Sequence, residues 1–343
     1  MKKSESSGRG SILVKVSRAF LVLLLSFLIL SCVMTALVPA LIFRRSETPP
    51  PSERVYGAED AAYYPRRRVE FPSSDGVLRG WLYGGGGDEA LVLIVGGLGS
   101  GSDTHLPEIE YFVDAGFAVL CYDGTGVRDS DGRGTRGLAQ ARLDLESALR
   151  FVESDDELGA LPLLLYGHSA GGWAAASALD EHPELAGAVC LSAFDRPAEL
   201  MRSRAREYVG VLADIEYPFL RLWSAMRFGS LGNESAADSV LASSVPVFAA
   251  QGADDIGVPL GDSLYQRLSS SPDGGVRLLL IMGGSRAEHS SLWLTERAAE
   301  IRAAILAGED GEGGDPWELD AEFMESLVRF YGECVSAYKD KIA

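Results

Sequence analysis

Leu161-Pro-Leu-Leu-Leu-Tyr-Gly-His-Ser-Ala-Gly-Gly-Trp173 carries an apolar run of strand length directly into Gly167-His168-Ser169-Ala170-Gly171 and then into alanine-rich sequence. A strand that passes at once into a helix needs a tight turn, and small residues two positions either side of the serine let the two elements approach closely. The pattern reads as a G-x-S-x-G elbow with the Ser169 hydroxyl presented at its tip, so Ser169 is the candidate nucleophile. Five residues of common types also recur by chance. The reading therefore rests on the strand before, the helix after, and an acid and then a histidine further along the chain.

Outward from the elbow, apolar runs alternate with helical patterns. Residues 68–71 and 77–83 alternate in character across Ser73-Ser74-Asp75-Gly76, a hairpin signal. Residues 84–87 turn the chain into 90–95, fully apolar as suits a strand covered on both faces. Helices at 106–115, 138–152 and 172–179 alternate with strands at 117–122, 161–166 and 186–191, and strands at 245–250 and 276–281 precede a closing helix at 292–306. This predicts an α/β domain over residues 67–307 with a mainly parallel, doubly wound sheet. Residues 194–243 interrupt the alternation. There Tyr208, Val211, Leu212, Ile215, Phe219, Leu222, Trp223 and Met226 recur at helical spacing, with a break expected near Pro218. A helical lid is expected, with Phe219, Trp223 and Met226 as candidate lid or acyl-pocket residues, although such a stripe more often simply packs on a core.

The N-terminal part has a different character. Lys2, Lys3, Arg9, Lys15 and Arg18 precede residues 19–43, 25 positions without a charge, closed by Arg44 and Arg45. That length spans a bilayer with some tilt, and the basic excess before it predicts a cytoplasmic N-terminus (1–18), a signal anchor (19–43) and an extracytoplasmic body. Ile29-Leu30-Ser31-Cys32 resembles a lipobox and offers lipidation at Cys32 as the alternative; the long basic region and the eleven apolar residues after Cys32 favour the uncleaved anchor. Residues 44–66, with Pro49-Pro50-Pro51, read as a semi-extended tether. Residues 308–315 read as an acidic linker and 316–338 as an amphipathic helix, neither with a chemistry to assign.

Composition narrows the function classes. The chain holds 31 Lys and Arg against 49 Asp and Glu; the first 45 residues carry seven and one of these, leaving 24 and 48 for the rest. So acidic a body opposes nucleic-acid binding and repels polyanionic substrates. Four scattered cysteines show no metal-ligand spacing, and Cys121 and Cys190 fall in strand-like runs as small core residues.

Acyl transfer by a serine needs a base, an acid to orient it, and donors for the developing oxyanion. Gln251-Gly-Ala-Asp-Asp-Ile-Gly-Val-Pro259 places carboxylates just after a strand, at the end of the sheet where sites in open α/β proteins lie. The spacing G-x-x-D-x-x-V-P selects Asp255 over Asp254. Only four histidines exist, and His289 alone follows this acid, so the order Ser169, Asp255, His289 suits the elbow. His168 and His182 read as structural; His105 is a candidate pocket residue. Gly96-Gly97-Leu98-Gly99-Ser100-Gly101 lacks the G-x-x-x-x-G-K-S/T phosphate pattern and reads instead as an oxyanion loop, with the amides of Leu98 and Ala170 as donors.

Together with Asp123 through Gly132, these motifs make residues 68–307 resemble the α/β-hydrolase superfamily, most of all its membrane-anchored serine hydrolases, acylglycerol lipases and serine aminopeptidase-like proteins. The resemblance implies an α/β-hydrolase fold with a helical lid, preceded by one transmembrane helix. It further implies hydrolysis of an ester or related acyl bond through an acyl-serine, without cofactor or metal, on a small-molecule or lipid-like substrate. Peptidase or thioesterase chemistry on the same triad, or a non-catalytic envelope binding protein, are the alternatives. Two positions depart from the family pattern: Gly96-Gly97 stands where His-Gly is frequent, and Thr125 and Arg128 replace an Arg and a Gly in the loop after the fourth strand.

Overall fold

The computed structural model describes residues 4–48, 54, 56–84, 88–270, 275–311 and 313–342. Residues 49–53 and Val55 of the expected tether, 85–87 of the glycine turn and Glu312 of the acidic linker lie outside the described residues.

Helix α1 (Ser4–Ile42) and the short α2 (Asp60–Tyr63) precede the sheet. Strands β1 (Arg66–Ser73) and β2 (Gly76–Tyr83) form the expected hairpin, followed by β3 (Leu91–Val95), α3 (Leu106–Asp114), β4 (Ala118–Asp123), α4 (Gln140–Ser154), β5 (Leu163–His168), α5 (Ala170–Ser177) and β6 (Gly187–Leu191). Helices α6 (Pro197–Val209), α7 (Leu212–Phe228) and α8 (Ala236–Ala242) fill the interruption, and then come β7 (Val247–Gly252), α9 (Leu264–Ser269), β8 (Val276–Ile281), α10 (Glu296–Leu306) and α11 (Ala321–Ile342). The eight strands lie in the order β1-β2-β4-β3-β5-β6-β7-β8, with the β1–β2 and β2–β4 pairs antiparallel and every other pair parallel. This is an α/β-hydrolase fold with a mostly parallel sheet.

The central strand β3 is apolar at every position because both faces are covered. Leu91, Leu93 and Val95 of β3 join Leu165, Trp173 and Leu145 on one side, while Val92 and Ile94 join Phe112, Tyr166, Phe330 and Tyr331 on the other. The second side shows what the amphipathic tail does. α11 buries Phe323, Met324, Leu327, Phe330, Tyr331, Cys334 and Val335, and the Tyr331 hydroxyl donates to the carbonyl of Leu165 at 2.7 Å, so this helix is one of the layers of the domain.

The inserted segment departs from the expectation at Pro218. The helix runs through that residue, and the break falls at Gly210, whose φ of +57° turns the corner between α6 and α7. Proline lacks one helix donor, but a left-handed corner is what a glycine reaches without strain.

Within α1, Val14–Ile42 is apolar and long enough to cross a bilayer, a property that anchors share with signal sequences. One stripe of this helix is occupied. Phe27 meets Phe219 of α7 edge-on at 6.2 Å, Ser31 donates to Glu216 at 2.8 Å, Pro39 is buried, and Phe43 stacks on Trp223 at 6.5 Å. Immediately after α1 the chain is fastened to the body: Ser46 N donates to Gly126 O at 2.9 Å, and Arg45 donates to the carbonyls of Ser130 and Gly132 at 2.9 Å and of Arg128.

Candidate active site

The elbow is built by close approach. A Cβ on Gly171 would sit 1.9 Å from the carbonyl oxygen of Val95, and one on Gly167 2.4 Å from that of Gly171, so both positions exclude any side chain. Between them Ser169 has φ +55° and ψ −115°, a conformation costly for a residue with a Cβ and held here by its amide on Leu191 O (2.9 Å) and its carbonyl under Trp173 N (3.0 Å).

Strand β7 leads into the loop of the candidate acid. Asp255 is buried, whereas Asp254 is exposed. The Asp255 Oδ1 accepts from Val258 N at 2.7 Å, and Oδ2 accepts from Gln251 Nε2 at 3.0 Å. The same Oδ2 lies 2.9 Å from His289 Nδ1, and His289 Nε2 lies 2.9 Å from Ser169 Oγ. With Nδ1 protonated toward the carboxylate, Nε2 keeps a lone pair for the serine proton. Residues 120 and 34 positions from His289 are thus brought onto its two ring nitrogens.

Three neighbours of the site carried little signal in the sequence. Gln251 is the penultimate residue of β7, fully buried, and aims its amide at Asp255 and at the Val258 carbonyl (3.0 Å). Gly257 leaves space for His289, because a Cβ there would lie 2.6 Å from its Cγ. His168 donates through Nε2 to the His289 carbonyl at 2.8 Å, so the residue beside Ser169 holds the loop of His289. Burial, then the nearby His289 and His105, push the His168 pKa well below the ordinary histidine value and keep it neutral. The only advance sign of this contact was a histidine inside the elbow. Arg286 fastens the same loop to the C-terminal part, pairing with Asp320 at 2.8 Å and donating to Leu292 O at 3.0 Å.

Leu98 and Ala170 line one narrow cleft of about 40 Å³ together with Gly97, Tyr122, Thr125, Leu138, Gln140 and Asp144. Ala170 opens α5, so its amide has no acceptor within the helix. Asp144 accepts from Thr125 N and Oγ1, both at 2.7 Å, and from Gln140 at 2.8 Å; burial nevertheless raises its carboxyl above the usual range. The remaining candidates stand elsewhere. His105 is buried behind the elbow, 2.9 Å from Glu108 through Nδ1 and 5.9 Å from the His168 ring. Phe219 and Trp223 face α1, and Met226 is exposed, because the apolar face of α7 is turned to the N-terminal helix. Among the described residues no group of three or more His, Cys, Asp or Glu side chains is arranged to hold a metal ion.

A strand-to-helix serine elbow on a mostly parallel eight-stranded sheet defines an α/β hydrolase. The family described as serine aminopeptidase, S33, matches residues 87–270, more than half of the chain, and the protein belongs to that family. Solved structures of similar fold include the esterase Pf2001 of Pyrococcus furiosus, at 18% identity and TM-score 0.58 over 84% of this chain and 99% of that one. The α/β hydrolase GrgF from Penicillium sp. sh18 matches at 19% identity and TM-score 0.51, over 80% of this chain and 99% of its own. A thermostable carboxyl esterase from Bacillus coagulans matches at 19% identity and TM-score 0.50, over 79% and 99%. No curated protein matches the sequence.

Proposed function

We propose that this hydrolase is a membrane-anchored serine esterase acting through Ser169, His289 and Asp255. The observation that carries the reading is the continuous line from Ser169 Oγ through His289 to buried Asp255, with both contacts at 2.9 Å. Ser169 attacks the acyl carbon as His289 takes its proton, and the amides of Leu98 and Ala170 receive the oxyanion. His289 then returns the proton to the leaving alcohol, leaving an acyl-serine that water opens by the same steps. None of these steps draws on a cofactor. The family description and the esterase folds support the reading.

A carboxylic ester of a small-molecule or lipid-like acid is the proposed substrate. The narrowness of the cleft beside Leu98 and Ala170 favours a short acyl group there. A second reading, release of an N-terminal residue from a peptide, is favoured by the family description, serine aminopeptidase. Fluorophosphonate labelling decides the chemistry: the parent is labelled and Ser169→Ala is not, whereas equal labelling of both sinks the proposal. Comparing p-nitrophenyl esters with alanine p-nitroanilide separates the two substrate readings.

For α1 the proposal is a single-pass anchor with the N-terminus in the cytoplasm and the hydrolase domain outside. The uncharged length of residues 19–43 and its basic N-terminal flank support it. Protease added to intact cells digests the domain if this orientation holds; a protected domain overturns it. A mass increase from acyl chains on Cys32 would identify the lipoprotein form instead.

A further inference from the structure

The last turns of α1 and the inserted helix α7 enclose a second cleft, of about 960 Å³. Its apolar wall comes from Pro39 and Ala40 on α1, from Phe43 just after it, and from Trp223 on α7. Its charge comes from Arg45, Arg133, Arg136 and Arg227. Two carboxylates also line it, but Asp75 pairs with Arg136 and Asp131 pairs with Arg79 at 2.9 Å. Among the described residues neither Arg133 nor Arg227 pairs with a carboxylate. Arg227 instead lies over the rings of Trp223 (5.7 Å) and Phe228 (6.0 Å). Burial and the repulsion of Arg227 together lower the Arg136 pKa, which is the sign of cations crowded without enough counter-charge.

The chain after residue 45 carries twice as many acidic as basic side chains, so a cationic cleft there runs against the average charge. Its position gives it a partner. Residues 36–43 close the apolar span of α1, and in the membrane reading they lie where the helix leaves the hydrocarbon. Guanidinium groups above an apolar wall match a molecule with a phosphate at one end and acyl chains at the other.

We propose that this cleft binds the headgroup of an anionic phospholipid, with Arg133, Arg136 and Arg227 around the phosphate and the acyl chains along α1 and Trp223. The site seats the hydrolase domain on the bilayer and lies apart from Ser169. It rests on the anchor reading for its location, but not for its chemistry.

The test uses the full chain in micelles of a neutral detergent, titrated separately with dioctanoyl phosphatidylglycerol, dioctanoyl phosphatidylcholine and inorganic phosphate, with binding followed by native mass spectrometry. Phosphatidylglycerol is expected to bind roughly tenfold or more tightly than either alternative, and the Arg133→Gln, Arg227→Gln double variant to lose roughly tenfold in that affinity. Hydrolysis of a soluble ester stays unchanged in this variant. If the double variant does not fold, the exposed Arg227→Gln alone is expected to lose about threefold or more. Equal binding of the two lipids, undiminished affinity in the variants, or inorganic phosphate binding as tightly as the anionic lipid each overturn the proposal. Alkaline carbonate extraction of native membranes reads the anchor separately: a chain that is extracted yet binds phosphatidylglycerol in micelles removes the anchor and keeps the site.

Discussion

Replacing Asp255 by Asn tests how the proposed base is oriented. The buried carboxylate receives three donors: Val258 N at 2.7 Å on Oδ1, and Gln251 Nε2 at 3.0 Å and His289 Nδ1 at 2.9 Å on Oδ2. An amide can accept on one atom only. With its oxygen under Val258 N, its NH2 faces His289 Nδ1, and the ring must move its proton to Nε2, where it blocks acceptance from Ser169. Flipping the amide restores the ring but sets NH2 against the Val258 amide, a buried donor clash of about 1–3 kcal/mol. Gln251 has the Val258 and Gly252 carbonyls as other acceptors, at 3.0 and 3.2 Å, and so weighs less in the choice. The wrong tautomer wins. The expected loss in kcat is about 10³–10⁴-fold, equivalent to roughly 4–5.5 kcal/mol of barrier. Turnover of p-nitrophenyl butyrate measures it, beside Asp254→Asn, which changes an exposed group and stays within about threefold of the parent. Activity of Asp255→Asn within tenfold of the parent, or a larger loss at Asp254→Asn, would refute the reasoning.

Gly171→Ala forces a methyl against Val95 O and is expected to cost about 1–3 kcal/mol or more, lowering Tm by several degrees in a thermal melt. Tyr331→Phe removes the buried hydrogen bond from the Tyr331 hydroxyl to the Leu165 carbonyl and should lower the stability read by urea unfolding by about 0.5–1.5 kcal/mol. Ending the chain before α11 uncovers Phe112 and Phe248, on which Phe323, Phe330 and Tyr331 pack, and is expected to yield insoluble protein. Because burial lowers the His168 pKa, the folded state refuses a proton that the unfolded chain accepts once pH falls below about 6.5. Its contribution is therefore present above that pH and lost toward acid, by up to about 1.4 kcal/mol per pH unit. His168→Gln keeps a donor for the His289 carbonyl and should flatten the stability profile between pH 5 and 6.5; an unchanged slope contradicts the assignment.

Much of the architecture was legible because it is written in local patterns. Apolar runs such as Leu91–Val95 mark strands covered on both faces, and the glycines around Ser169 mark a turn where strand and helix nearly touch. The residues now found within hydrogen-bond distance of one another were each visible beforehand as candidates on loops after strands. Their distances were not, since the Ser169 to His289 contact spans 120 positions and depends on the strand order.

Helical periodicity announces an apolar face without naming its occupant, and here only the tertiary structure decided. The stripe of α7 suited a lid over the serine, but Phe27 of α1 and Phe43 just after it cover part of that stripe. The amphipathic tail suited a surface helix, but its face fills one side of the sheet, and Asp320 before it holds the loop of His289 through Arg286. Gln251 and Gly257 were invisible for the same reason: their roles lie in what stands opposite them. Sequence patterns specify which surfaces leave water, whereas the choice of partner is a property of all the packed elements together.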